Sequence, residues 1–312
     1  MYDGIINVYK EKGFTSHDVV AKMRGILGQR KIGHTGTLDP AAEGVLPVCA
    51  GKGTKLCDML TDHDKTYRAV LLLGTETDTE DTTGTVLETK DTSGLTEDEV
   101  QDVVLSFIGD YAQVPPMYSA LKVDGKKLYE LAREGKTVER KARPVKIFDI
   151  QIEKMELPEV TMTVSCSKGT YIRTLCQDIG EKLSCGACME SLLRTKVSEF
   201  CVQDALRLSE IEERVQKAAG QTQSEQWNAE MFDFIYAVDS VFLQYKKAVI
   251  CKEWNKLLYN GNRMKKDMFV SYQKDWEQQK VRIYDEEGRF IGIYEYSEIH
   301  GDYKPVKLFM EA

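Results

Sequence analysis

Residues 33–48, GHTGTLDPAAEGVLPV, place Asp39 between Leu38 and Pro40 on a turn rich in glycine and proline, with His34 five residues upstream. A turn so constrained can hold a carboxylate in one direction. Taken by itself, the aspartate reads first as a cap of its own turn, because Asp before Pro commonly bonds to nearby backbone. The other reading is an enzyme that uses one carboxylate and no cofactor. Familiar devices fail on spacing: GKGTK at 51–55 lacks the four-residue gap between glycines of a phosphate loop, and there is no GxSxG elbow, HExxH or GxGxxG. Of eight cysteines only Cys185 and Cys188 form a CxxC, and neither a second pair nor suitably spaced histidines complete a zinc set. Reduced core thiols, no metal and no cofactor are the expectation.

The elements that must position this turn can be read from apolar periodicity. A short strand is expected near Ile5–Tyr9, then a helix capped by Ser16 with Val19, Val20, Met23, Ile26 and Leu27 on one face. Val45–Ala50 reads as a strand, Thr54–Leu60 as a short helix and Tyr67–Leu73 as a buried strand. Thr96 and Glu99 form a capping box before a second amphipathic helix. A Pro-Pro break and a basic loop precede a helix stopping at Gly135, and strands follow at Val145–Ile152 and Val160–Cys166. Gly169 then leads into a helix with Ile172, Leu175, Ile179 and Leu183 inward and Arg173 in its first turn. A cation there opposes the helix dipole, so something other than helix stability keeps it.

At 312 residues the chain exceeds what one core usually organises. We expect a domain over 1–218, a polar linker over 219–237 and a small β-rich domain over 238–312, whose KVRIYDEEGRFIGIYEYS reads as a hairpin. No apolar stretch approaches the roughly 20 residues that span a bilayer, and no basic leader precedes a long apolar run, so a cytoplasmic protein is expected. The net charge of −8 hides segregation. Residues 76–99 carry nine acids against one lysine, whereas 117–147 hold nine basic residues against four acidic ones. Local positive surface governs contact with a polyanion, because screening confines each charge to about 8 Å. Solvated helix faces are the alternative account of that basic stretch.

GHTGTLDPAAEGVLPV closely resembles the signature of the TruB family of tRNA pseudouridine synthases. Three further stretches resemble that family's motifs, in the family's order: DKTYRAVLLLGTETDTEDTTG, VPPMYSALKVDGKKLYELAREG and CSKGTYIRTLCQDIGEKLSCGA. The resemblance spans most of residues 5–200. It implies an α+β pseudouridine synthase fold, with a mixed, largely antiparallel sheet flanked by helices, and a small C-terminal PUA-like domain that binds RNA. The implied reaction isomerises a uridine in the T-loop of tRNA, in a stand-alone monomer that needs no protein partner; the alternatives are a dyskerin-like synthase acting under a guide RNA and a non-catalytic RNA chaperone that grips and unfolds the same loop.

The resemblance also assigns residues. Asp39 matches the catalytic carboxylate, suited to meeting positive character at the anomeric carbon as in glycoside cleavage. Arg173 matches the arginine that keeps it ionised, and Tyr67 a tyrosine that stacks on the base and shuttles a proton. Leu192 walls the pocket. His34 fills the stack that the flipped base vacates, since a base inside a folded loop must leave it to reach a buried group. Lys122, Lys126, Lys127, Arg140, Lys141 and Arg143 become phosphate contacts of a mobile RNA-gripping insertion over about 117–147. One departure stands out: Leu193 occupies a position where the family commonly has arginine.

Overall fold

The computed structural model describes residues 2–123, 125–221 and 232–310. Strand β1 (Gly4–Lys10) is buried on both faces. Ile6 and Val8 pack under α1 (Ser16–Leu27), while Ile5 faces the opposite side. Thr15, not Ser16, caps α1: its hydroxyl accepts from Asp18 N–H while the Asp18 carboxylate accepts from Thr15 N–H. The Ser16 hydroxyl is instead buried against the backbone of Leu38. Short β2 (Ile32–His34) pairs with β3 (Glu43–Ala50), and the Asp39 turn joins them. A 3-10 turn over Gly51–Leu56 and then α2 (Cys57–Thr61) replace the single helix expected over Thr54–Leu60.

Strand β4 (Lys65–Leu73) is followed by the hairpin of β5 (Thr75–Thr77) and β6 (Val86–Thr89) inside the acidic segment. The Thr96–Glu99 box starts α3 (Glu97–Leu105), and β7 (Gly109–Gln113) follows. The basic stretch forms β8 (Lys122–Val123), β9 (Lys126–Lys127) and α4 (Leu128–Arg133) before the long hairpin of β10 (Arg143–Glu156) and β11 (Glu159–Cys166). Then come α5 (Ile172–Lys182), β12 (Ala187–Val197), β13 (Phe200–Cys201) and α6 (Leu208–Gln221).

Among the described residues, the main sheet has ten strands: β14 (Ile235–Tyr236) stands at one edge, and the order is β14-β1-β3-β12-β4-β11-β10-β7, with β2 on β3 and β13 on β12. That edge strand pairs with Ile5 and Ile6. Every pairing is antiparallel except β3 with β12. That parallel contact covers only Leu193 with Glu43 and Arg194 with Gly44, so two halves of the sheet meet there at a narrow seam.

The segment expected as a linker over 219–237 is partly something else. Helix α6 runs to Gln221, and Phe232 and Phe234 are buried beside β14, because alternate aromatics there find the cluster under α1 and α6. Residues 222–231 of that expected linker lie outside the described residues. A second, four-stranded sheet orders β15 (Lys246–Ile250), β16 (Lys280–Asp285), β17 (Phe290–Ser297) and β18 (Asp302–Leu308), with α7 (Asn255–Tyr259) beside it. It does not hang free. Phe242, Ile293 and Phe309 join Ile5, Val45, Leu56 and Phe200 in one apolar cluster between the sheets.

Candidate active site

The Asp39 turn is fastened from several sides. Leu38 N–H donates to the Ser16 hydroxyl at 2.9 Å, so the start of α1 is bonded to the residue before the aspartate. The ammonium of buried Lys10 donates to the Ala42 carbonyl at 2.6 Å and to Pro40 at 3.3 Å. Removal from water pulls that lysine down to about 8. On the other flank, Arg194 of β12 donates to the Val45 carbonyl at 2.7 Å and to Gly36 at 3.2 Å, with Thr37 O at 3.5 Å. Gly44 makes this approach possible. Its φ is +105°, and a Cβ there would lie 2.3 Å from the Arg194 carbonyl oxygen.

Held this way, Asp39 meets Arg173: Oδ2 lies 3.1 Å from Nε, with the arginine side chain 6% exposed and the aspartate 40%. The guanidinium is fixed at its other corners by the Thr79 carbonyl (3.0 Å) and the Tyr118 carbonyl (2.8 Å), and Asp81 Oδ2 stands 4.0 Å away. Helix α5 is itself anchored, since Tyr171 N–H donates to Gln113 Oε1 at 2.8 Å and Gln113 Nε2 returns a bond to Tyr171 O at 2.9 Å. The Thr174 hydroxyl donates to Glu80 at 2.6 Å, bringing a further carboxyl to the helix start. Burial pushes the Glu80 carboxyl up, and the nearby arginines work against that shift.

A cavity of about 770 Å³ opens over this pair. Asp39, Arg173, Tyr67, Leu192 and Lys127 line it, so five of the eleven expected site residues converge. Tyr67 of β4 is buried and sits opposite Arg194 in the register of β12. Desolvation keeps its phenol protonated above the ordinary range. Leu192 stands on the same face of β12 as Arg194, whereas Leu193 points to the other face, so the missing family arginine would not have stood on the cavity wall.

The remaining expected residues lie elsewhere. His34 ends β2, edge-on to His17 at 5.5 Å, and it is His17 that lines the cavity. Burial, aided by His17 and Arg194, holds the His34 imidazole below its usual pKa, so it is neutral at pH 7. Lys127 donates to the Tyr129 hydroxyl at 3.1 Å on the cavity wall, where Arg133 joins it. Lys126 is exposed and 3.5 Å from Glu134, and Arg140 donates to the Pro115 carbonyl at 2.9 Å. Lys122, Lys141 and Arg143 are exposed and off the cavity. Cys185 and Cys188 are free, buried thiols.

Asp81, Lys10, Gln113 and Arg194 were not singled out by sequence. Asp81 lies in the segment that resembles the second family motif, yet as one of nine acids it read as bulk charge. Lys10 ends a strand buried on both faces, and nothing in its residue type marks it as buried.

A ten-stranded mixed sheet, split at a seam where an arginine-paired carboxylate meets a buried tyrosine, defines a pseudouridine synthase fold. The protein chain in "Crystal Structure of a Cbf5-Nop10-Gar1 Complex" superposes with a TM-score of 0.71 over 98% of this chain and 85% of its own, at 25% identity. That in "Structure of H/ACA RNP bound to a substrate RNA containing 2'-deoxyuridine" gives 0.70 over 99% and 85%, at 23% identity.

Sequence comparison is more particular. The family model for the TruB family pseudouridylate synthase N-terminal domain matches residues 24–172, and that for the tRNA pseudouridylate synthase B C-terminal domain matches 173–243. The chain is 56% identical, over 99% of its length and 100% of the relative's, to tRNA pseudouridine synthase B of Lachnoclostridium phytofermentans. It is 46% identical to that of Clostridium novyi, over 93% and 94%. The chain belongs to the TruB family of pseudouridylate synthases.

Proposed function

We propose that this chain converts a T-loop uridine of tRNA to pseudouridine through Asp39, and the observation that carries the reading is the Asp39–Arg173 pair at 3.1 Å beneath the cavity. The bond from N1 to C1′ breaks and one from C5 to C1′ forms, so nothing is added or lost. Positive character at C1′ is met by the Asp39 carboxylate, by covalent addition or as its counter-charge. Arg173 aims that carboxylate and favours its charged form through the bond to Nε. Tyr67 faces the base and Leu192 walls it. His34, packed edge-on against the cavity-lining His17 at 5.5 Å, occupies the vacated stack.

Lys127 contacts phosphate at the cavity, and Lys122, Lys126, Arg140, Lys141 and Arg143 extend the positive surface along the same insertion. The four-stranded C-terminal sheet is a PUA-like platform for the rest of the RNA. The protein acts as a cytoplasmic monomer without a guide RNA or partner protein. None of its helices among the described residues is long and apolar enough to cross a membrane.

The test uses purified protein, an unmodified tRNA transcript and a chelator. Wild type forms pseudouridine in that mixture, while Asp39→Asn binds the transcript and forms none. Product from Asp39→Asn, or no product from well-folded wild type, would overturn the reading.

A further inference from the structure

Arg194 is the largest side chain among the described residues with under 2% exposure. A guanidinium so placed is costly unless paired. Among the described residues no carboxylate stands within ion-pair distance of it, and its bonds to the carbonyls of Val45 and Gly36 leave its charge unmatched. The ionisable group that most favours its charge is the Tyr67 phenol, its partner directly across β4 and β12. Both side chains line the cavity.

The surroundings of the two groups are asymmetric. Tyr67 faces Arg194 from β12, Cys166 from β11 and Asp39 from the turn. Burial, the thiol and the carboxylate all favour the protonated phenol, and Arg194 is the neighbour that opposes them. Arg194 in turn faces Lys10 from β1, Lys65 from β4 and His34 from β2, none of which can neutralise it.

We propose that Arg194 is a positioning residue for the isomerisation: it orients Tyr67 and readies its oxygen to take the proton that leaves C5 of the base. The inference rests on the reading of Asp39 and Tyr67 above. In the closing step Tyr67 acts as the phenolate that Arg194 favours, its own proton having passed to solvent: the C5–H bond breaks, its electron pair restores the C5=C6 double bond, and the proton passes to the phenolate oxygen. The former N1=C6 pair moves onto N1, which takes up a proton in turn, so the composition is unchanged. The two arginines thus divide the work, one serving the sugar and the other the base.

Single-turnover rates on an unmodified T-arm transcript, from mildly acidic to mildly alkaline pH, test the proposal. Arg194→Gln removes the charge, and Arg194→Lys keeps a charge that cannot span both the turn carbonyls and the phenol. Both should lose about 10²-fold at neutral pH. The loss should shrink as pH rises, and a fluorinated, more acidic tyrosine at position 67 should restore much of the Arg194→Lys rate. A loss equal at every pH and unrelieved by the analogue, or no loss, overturns the proposal. Arg194→Lys carries the test alone where Arg194→Gln does not fold. Failure of the underlying reading shows separately, as product from Asp39→Asn.

Discussion

A helix gains nothing from a cation in its first turn, where the dipole penalty is about 0.3–1 kcal/mol, yet Arg173 sits there in α5. The carboxylates of Asp39, Asp81 and Glu80 gather around that terminus and offset the penalty. Arg173→Met should therefore slow isomerisation on the order of 10²- to 10³-fold while leaving transcript binding nearly intact, read by single-turnover rates beside filter binding. Arg173→Lys should recover only a fraction, since an ammonium cannot reach Asp39, Thr79 O and Tyr118 O together. The mismatch at Arg173 was legible in the sequence because it broke a local rule. Arg194 broke none, since an arginine in an alternating strand reads as one more exposed residue until the register sets it inside.

Among elements, the turn between β2 and β3 depends on backbone contacts that sequence hints at only through its glycines. Gly44→Ala combines a positive φ with a collision at Arg194 O, so a cost of at least about 1–3 kcal/mol is expected, with activity lost beyond the loss of folded protein. Denaturant unfolding beside specific activity checks this. The apolar face of α1 was read correctly, with Val19, Val20, Met23 and Leu27 buried. The cap was misplaced by one residue because two hydroxyls stand side by side, and only the tertiary contact to Leu38 separates Thr15 from Ser16. Strand β14 was invisible for a similar reason: two residues carry no periodicity, and their pairing with β1 is settled some 230 residues away. For the basic insertion the sequence supplied the charge but not its direction. Of its basic residues, among those described, Lys127 and Arg133 alone face the cavity, so Lys126→Ala with Lys127→Ala should lower the slope of log affinity against log salt by about 1 to 2 while leaving the chemical step of bound tRNA little changed.

For the molecule as a whole, buried ionisable groups set an alkaline optimum of stability. Lys10 and Lys65 are held at about 8 against 10.5 for a free lysine. As pH rises through that window the unfolded chain still carries their protons and the folded one does not, so stability rises. Buried thiols act in reverse from pH 9.0 upward, since Cys166 is pushed up to about 12 and Cys188 to about 11. Cys49 and Cys176 shift the same way, and each thiol ionises first in the unfolded chain. Denaturation midpoints should therefore climb from neutral pH, peak between about 8 and 9, and fall beyond. Lys65→Met should flatten the climb. The pairing of Ile235 and Tyr236 with the first strand has its own corollary for biosynthesis. A nascent chain translated at about 5–20 residues per second waits on the order of tens of seconds between exposing Ile5 and supplying the strand that covers it. During that interval the polypeptide on the ribosome is unfinished at its edge, so maturation of the enzyme must come late in its own translation.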